Sequence, residues 1–131
     1  MKVAIVGSRT LHPSTPEIKQ ALDIAGFEPT EIVSGGANGV DFRAERYAED
    51  NELKMTIFRA EWSKNGKSAG YMRNKLIVDY SDAVLVFWDG ASMGTQHTMD
   101  LSYKADKPTY VVVPKEGGVG WSPHPMKHPM Q

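Results

Sequence analysis

Short, continuously apolar runs alternate along this chain with longer stretches whose apolar residues recur every three or four positions. Residues 3–6 are apolar throughout and stop at Gly7, the pattern of a strand covered on both faces. Residues 31–34, 55–58, 83–87 and 110–113 read the same way, and 83–87 is the most apolar run in the chain, which predicts a central place for it. Between the runs lie helical patterns. Pro16 suits the first turn of a helix whose Ile18, Leu22 and Ala25 share a face, with Gly26 as its C-cap. Val40, Ala44, Tyr47 and Ala48 line a second helix that ends near Asn51. A third is predicted over 69–80, with Met72, Leu76, Ile77 and Tyr80 inward and Arg73 and Asn74 turned away from that stripe. A fourth is predicted over 95–105. Residues 59–68 are predicted as a polar loop, and 115–131, rich in glycine and proline, as an irregular tail.

Strands that alternate with helices predict one α/β domain over residues 1–114, with a mostly parallel sheet between two helical layers. Right-handed crossovers then bring the C-terminal ends of the strands to one edge, where open α/β sheets bind ligands. Four stretches fall on that edge: 7–9, 34–41, 59–68 and 88–95. Connections on the opposite edge, such as 27–30 and 81–82, are plainer.

The stretch Ser34, Gly35, Gly36, Ala37, Asn38, Gly39, Val40, Asp41 opens a helix directly after a strand. Glycines there let backbone N–H groups converge on an anion, and a phosphate is the usual one. The plain alternative is a tight connection in which Asp41 helps to start the helix. Residues 88–95 hold a second such turn, with Trp88, Asp89, Gly90, Ser92, Gly94 and Thr95. Gly7, Ser8 and Arg9 end the first strand, and Arg9 is either a fork for a phosphate or a solvated side chain. Trp62 either stacks on a base or covers the edge of the core, and Trp88 is a second candidate to stack on a base. Lys64 and Lys67 are solvated or close over a phosphate. Two glycine-bearing turns on one edge favour a phosphate-bearing ligand. The chain has no GxGxxG after its first strand and no lysine completing a P-loop, which disfavours an ordinary dinucleotide dehydrogenase and a P-loop NTPase.

Charge and composition narrow the picture further. Lysine and arginine number 15 against 16 acidic residues, a net charge of −1 over 131 residues. This is not the footprint of a general nucleic-acid binder. The absence of cysteine removes disulfides, thiol catalysis and thiolate metal sites. His124 and His128, in the proline-rich tail, read as solvated, so neither a metal nor a cofactor is expected. The N-terminal apolar run is shorter than a signal peptide's, and no apolar stretch has bilayer length. A cytoplasmic location is the default expectation.

Several of these motifs resemble a known superfamily. Residues 34–41 resemble the Ser-Gly-Gly-Ala-x-Gly-Ile-Asp turn of the DNA-processing protein DprA. Met72, Arg73, Asn74 and Lys75, then Ser81 to Val86, then Gly94 and Thr95, are similar in order to the motifs of the lonely-guy nucleoside-monophosphate phosphoribohydrolases. Both groups belong to the SLOG superfamily of Rossmann-like proteins, and the resemblance runs from Val3 to about Pro114, closest to small bacterial and phage members. It implies a strand order 3-2-1-4-5, a cleft flanked by 7–9 and 88–95, and homo-oligomerisation. It also implies a substrate-side role for Arg73. Where those hydrolases carry a glutamate, this chain has Thr98, and Ser92 and Met93 replace their double glycine. The family's N-glycosidic cleavage is thereby left without its carboxylate unless Asp89, Asp41 or His97 substitutes.

Three functions are consistent with these residues. The first is a sensor or sequestering protein for a nucleotide or nucleotide-derived ligand. Turn amides and Arg9 and Arg73 would hold its phosphates, Asp41 or Asp89 its ribose, and Trp62 or Trp88 its base. The second is an N-glycosidase of nucleoside monophosphates or ADP-ribose-like ligands, with Arg73, Asp89 and Asp41 as the catalytic set. The third is single-stranded DNA binding, against which the net charge weighs. On this reading the partner is a small nucleotide, and nucleic acid is not expected.

Overall fold

In the computed structural model of the chain, residues 1–124 are described. The sheet contains β1 (Lys2–Gly7), β2 (Glu31–Ser34), β3 (Lys54–Ile57), β4 (Ala83–Phe87), β5 (Thr109–Pro114) and β6 (Trp121–Pro123). Their order is β3-β2-β1-β4-β5-β6. The first five run parallel, and β6 pairs antiparallel with β5. The expected order 3-2-1-4-5 therefore holds, with one strand added at the edge. β6 lies in the stretch expected to be irregular. Its Trp121 packs edge-on against Phe87, with ring centroids 4.9 Å apart, and donates its indole N–H to Glu17 Oε2 at 2.7 Å. Pro125, His128 and Pro129 lie outside the described residues.

The two helical layers follow from strand alternation. Val3, Ile5, Leu85 and Phe87 face one way and pack on α1 (Thr15–Ala25) and α2 (Val40–Asp50). Ala4, Val6, Val84 and Val86 face the other way, towards Ile77 and Met99. These two belong to α4 (Ala69–Tyr80) and α5 (Met93–Lys104). Every residue of β4 is buried, as a central parallel strand requires. α1 is started by a capping box in which Ser14 and Glu17 exchange side-chain and backbone bonds, and it ends on Gly26 in the left-handed region, at φ 76°.

Three elements differ from expectation. Residues 59–68 are not a plain loop, because α3 (Trp62–Asn65) and a 3-10 turn (Gly66–Ser68) occupy most of it. α5 begins at Met93 rather than residue 95, since Ser92 caps it by accepting from Thr95 N–H. In α4 the buried positions are Ala69, Asn74, Ile77 and Val78, while Met72 and Leu76 are exposed. Apolar residues lie on both sides of this helix, so periodicity alone does not fix its rotation. Polar bonds do, as the candidate site makes plain.

β1 and β4 are neighbours from which the chain winds in opposite directions, so the switch of strand order lies between their C-terminal ends. Gly7 ends β1 there. A Cβ on it would collide with the carbonyl oxygen of Phe87 and come within 2.8 Å of Val40 Cγ2. Replacing Gly7 with alanine is expected to cost about 3 kcal/mol, because backbone cannot yield as a side-chain tip can. Urea unfolding of Gly7→Ala beside the parent protein measures it, and an unchanged midpoint would contradict this packing.

Candidate functional site

Ser8 gathers three elements at the switch point. Its N–H donates to Phe87 O at 3.1 Å, its carbonyl accepts from Val40 N–H at 3.4 Å, and its hydroxyl accepts from Asp89 N–H at 3.1 Å. β1, the start of α2 and the loop after β4 are thus tied together. Gly39 turns the chain into α2 with φ +71°, and a Cβ on it would strike the backbone of Arg9. The result is a cleft of about 400 Å³ between the loops after β1 and β4, bounded by α2 and α4.

The turn after β2 is stitched by its own side chains. Ser34 Oγ accepts from Gly36 N–H at 3.3 Å, and Asp41 Oδ2 accepts from Ala37 N–H at 3.2 Å. The turn after β4 behaves likewise: Asp89 Oδ1 accepts from the N–H groups of Ala91 and Ser92, at 2.9 and 2.7 Å. Those bonds hold the Asp89 carboxyl below its ordinary range. The amides of Gly36, Ala37, Ala91, Ser92 and Thr95 therefore serve protein oxygens, where the sequence suggested phosphate oxygens. Asp41 and Asp89 act in these turns as internal acceptors.

Positive charge in the cleft comes from side chains instead. Arg73, on α4, donates from Nη1 to Gly35 O at 2.6 Å and from Nε to Asn74 Oδ1 at 3.0 Å. Asn74 Nδ2 donates to Gly94 O at 3.3 Å and lies 3.2 Å from His97 Nδ1. These bonds rotate α4 so that Asn74 is buried and Arg73 enters the cleft. Met72 and Leu76 are turned outward as a consequence. Arg59, just after β3, donates from Nη1 to Gly36 O at 3.2 Å. Arg9 is exposed and, among the described residues, makes no side-chain hydrogen bond or ion pair.

Two smaller hollows adjoin the cleft. One, of about 240 Å³, is walled by Arg9, Arg59, Trp62 and Arg73. The other, of about 230 Å³, is walled by Arg9, Trp62, Lys67, Tyr71 and Arg73. Arg9 and Arg73 line all of them, so the three form one groove with arginine at its centre.

Of the residues singled out from sequence, Gly7, Ser8, Arg9, Ala37, Asp41, Arg73, Asn74, Asp89, Ser92, Gly94 and Thr95 line the cleft. Gly35, Gly36 and Trp62 line the adjoining hollows. Ser34 is fully buried, and Asn38, Gly39 and Gly90 line none of these hollows. Trp88 is buried against the sheet, donates its indole N–H to Ser92 O at 3.1 Å and meets the His124 ring at 5.3 Å. It covers the core edge and does not face the groove. Thr98 lines the cleft, but its hydroxyl donates to Gly94 O. Arg59 and Tyr71 escaped sequence reasoning; Arg59 stands at the C-terminal end of a strand, a position that marks it for the ligand edge. Among the described residues no three potential ligands cluster as a metal site, and no helix is long and apolar enough to cross a membrane.

No protein-family profile matches the sequence. The Gene 61 protein of Mycobacterium phage D29 is 34% identical over 115 residues, spanning 82% of this chain and 92% of that protein. The chain belongs to the family of that phage protein. Among solved structures, DNA processing protein A of Helicobacter pylori superposes with a TM-score of 0.66 at 26% identity, over 92% of this chain and 68% of that one. That protein binds single-stranded DNA in a unique mode. DprA of Streptococcus pneumoniae superposes with a TM-score of 0.64 at 22% identity, over 84% of this chain. The match spans about half of that protein, 49%. The fold is therefore DprA-like. Two expectations are corrected by these likenesses. A small nucleotide-derived ligand as the main function, and nucleic acid as an unexpected partner, both conflict with a neighbour that binds single-stranded DNA. The physical flaw lay in the charge argument: −1 is a sum over the whole surface, whereas a polyanion responds to the local field of a groove.

Asp41 offers a direct check of the groove's electrostatics. Burial pushes its carboxyl up to about 6, while the N–H of Ala37 and the Arg73 guanidinium pull the other way. A carboxyl that binds its proton more tightly folded than unfolded stabilises the fold fully below its unfolded value near 3.8, and that stabilisation is lost as pH rises towards 6. The loss is on the order of 3 kcal/mol. Urea titrations at pH 4, 5, 6 and 7 should show this fall in the parent protein relative to Asp41→Asn; parallel curves would refute it.

Proposed function

We propose that this protein binds single-stranded DNA along the groove at the C-terminal edge of its sheet. One observation carries the reading: three adjoining hollows share Arg9 and Arg73, with Arg59 and Lys67 on their walls. Single-strand binders combine a cationic track for the backbone with aromatic faces for the bases. Arg9 is exposed, and its guanidinium would fork onto a phosphate. Arg73 and Arg59 are anchored on the carbonyls of Gly35 and Gly36 and present their remaining N–H groups. Trp62, 52% exposed beside Gly70, supplies an aromatic surface within the track. The likeness to the H. pylori protein supports the same reading.

The two carboxylates of the cleft fit this function. Asp41 and Asp89 are engaged with backbone N–H groups, so they shape the turns without standing free against the strand. Asp41 also offsets part of the Arg73 charge, which limits the cost of holding a guanidinium in a half-buried place.

Fluorescence anisotropy with a labelled twenty-nucleotide oligothymidylate tests the proposal. Four neutralised phosphates predict that affinity falls about 50-fold between 50 and 200 mM salt. Arg9→Ala and Lys67→Ala should each weaken binding and flatten the salt slope by about 0.7. Binding that ignores salt, or no binding at 50 mM, would overturn the reading.

A further inference from the structure

A further hollow adjoins the cationic groove beyond Arg73. Tyr71, on the first turn of α4, lines the hollow that holds Arg9, Lys67 and Arg73. It also lines the next hollow, of about 500 Å³, whose other walls are Met93, Gln96, His97 and Asp100 on α5. The ring thus divides the cationic track from a basin whose charged wall residue is Asp100. Tyr71 is 52% exposed and Met93 77% exposed, and both stand on the wall of this second hollow.

We propose that Tyr71, backed by His97 and flanked by Met93, is a stacking platform for a nucleobase of the DNA strand as it leaves the arginine-lined groove. The inference rests on the single-stranded DNA reading above and adds a site to it.

The geometry suits this task. Tyr71 and His97 meet edge to face, with centroids 4.5 Å apart and planes at 66°. Such a contact steadies the tyrosine ring and leaves at least one of its faces uncovered by His97. His97 is held in turn: its Nδ1 lies 3.2 Å from Asn74 Nδ2, and Asn74 accepts from Arg73 Nε. The ring and the guanidinium are therefore linked through one chain of contacts, so a phosphate on Arg73 and a base on Tyr71 would be held at a set separation. Charge selects which part of a nucleotide enters the basin. Asp100 on its wall repels phosphate, and among the described residues no lysine or arginine lines it, so a base enters while the backbone stays on the arginine side. Met93, unbranched and polarisable, adapts to purine and pyrimidine alike.

The experiment compares two labelled strands of twelve residues, an oligothymidylate and an abasic backbone of equal charge, on the parent protein, Tyr71→Ala and Tyr71→Phe. Tyr71→Ala should lose about tenfold on the oligothymidylate and less than twofold on the abasic strand, since one stacked base is worth that much. Tyr71→Phe, which keeps the ring, should stay within twofold of the parent on both. If the parent binds neither strand, the DNA reading falls and this inference with it. If the parent binds but Tyr71→Ala loses equally on both strands, or on neither, the platform alone is refuted. Light scattering without DNA completes the test: a dimer that Tyr71→Ala converts to monomer would give this surface to a second copy of the chain and overturn the proposal.

Discussion

A nearly buried carboxylate sets the terms for this site. Asp41 closes the turn after β2 by accepting from Ala37 N–H, and its charge lies beside the Arg73 guanidinium. Arg73 in turn caps the Gly35 carbonyl. A Cβ at Gly35 would come within 2.8 Å of Asp41 Oδ2 and would collide with Arg73 Nη1, so both groups close over that one residue. Unfavourable burial of the carboxyl and favourable attraction to the arginine are opposed here. What the pairing secures is direction: an arginine on a helix of one layer is pinned to a turn that opens a helix of the other layer.

The rotation of α4 follows from the same pin. With Arg73 drawn to Gly35 and Asn74 drawn to Gly94, the polar side of the helix's first turns faces the cleft. Met72 and Leu76 are then left outside, although their character suits a core. The inward face thus combines the directed bonds of Arg73 and Asn74 with the burial of Ala69, Ile77 and Val78.

Glycine-rich turns ahead of helices are ready-made anion sites only while their amides remain open. Here Ser34, Asp41, Asp89 and Ser92 fill many of those amides with oxygens from the same turns. Positive charge is carried instead by arginines and a lysine arranged along a groove. Long cationic side chains follow a repeating backbone better than a fixed amide nest, which favours one compact anion. The distinction separates a protein that grips a single phosphate group from one that tracks a strand.

Much of the fold was legible in the residues themselves. Continuous apolar runs marked the five parallel strands, Pro16 and Gly26 bounded the first helix, and alternation gave two helical layers with the ligand edge at the strands' C-terminal ends. Most of the cleft's lining could be named on that basis, because edge position depends only on strand order and local sequence. Three things needed the tertiary structure. Which face of α4 turns inward depends on carbonyls 20 and 38 residues away. Whether a turn amide is open depends on where an aspartate four residues on places its oxygen. The joining of Arg9, Arg59, Lys67 and Arg73 into one groove depends on side chains from four separate segments, which net charge averages away. Local pattern determines elements; long-range directed bonds decide how those elements present their charges.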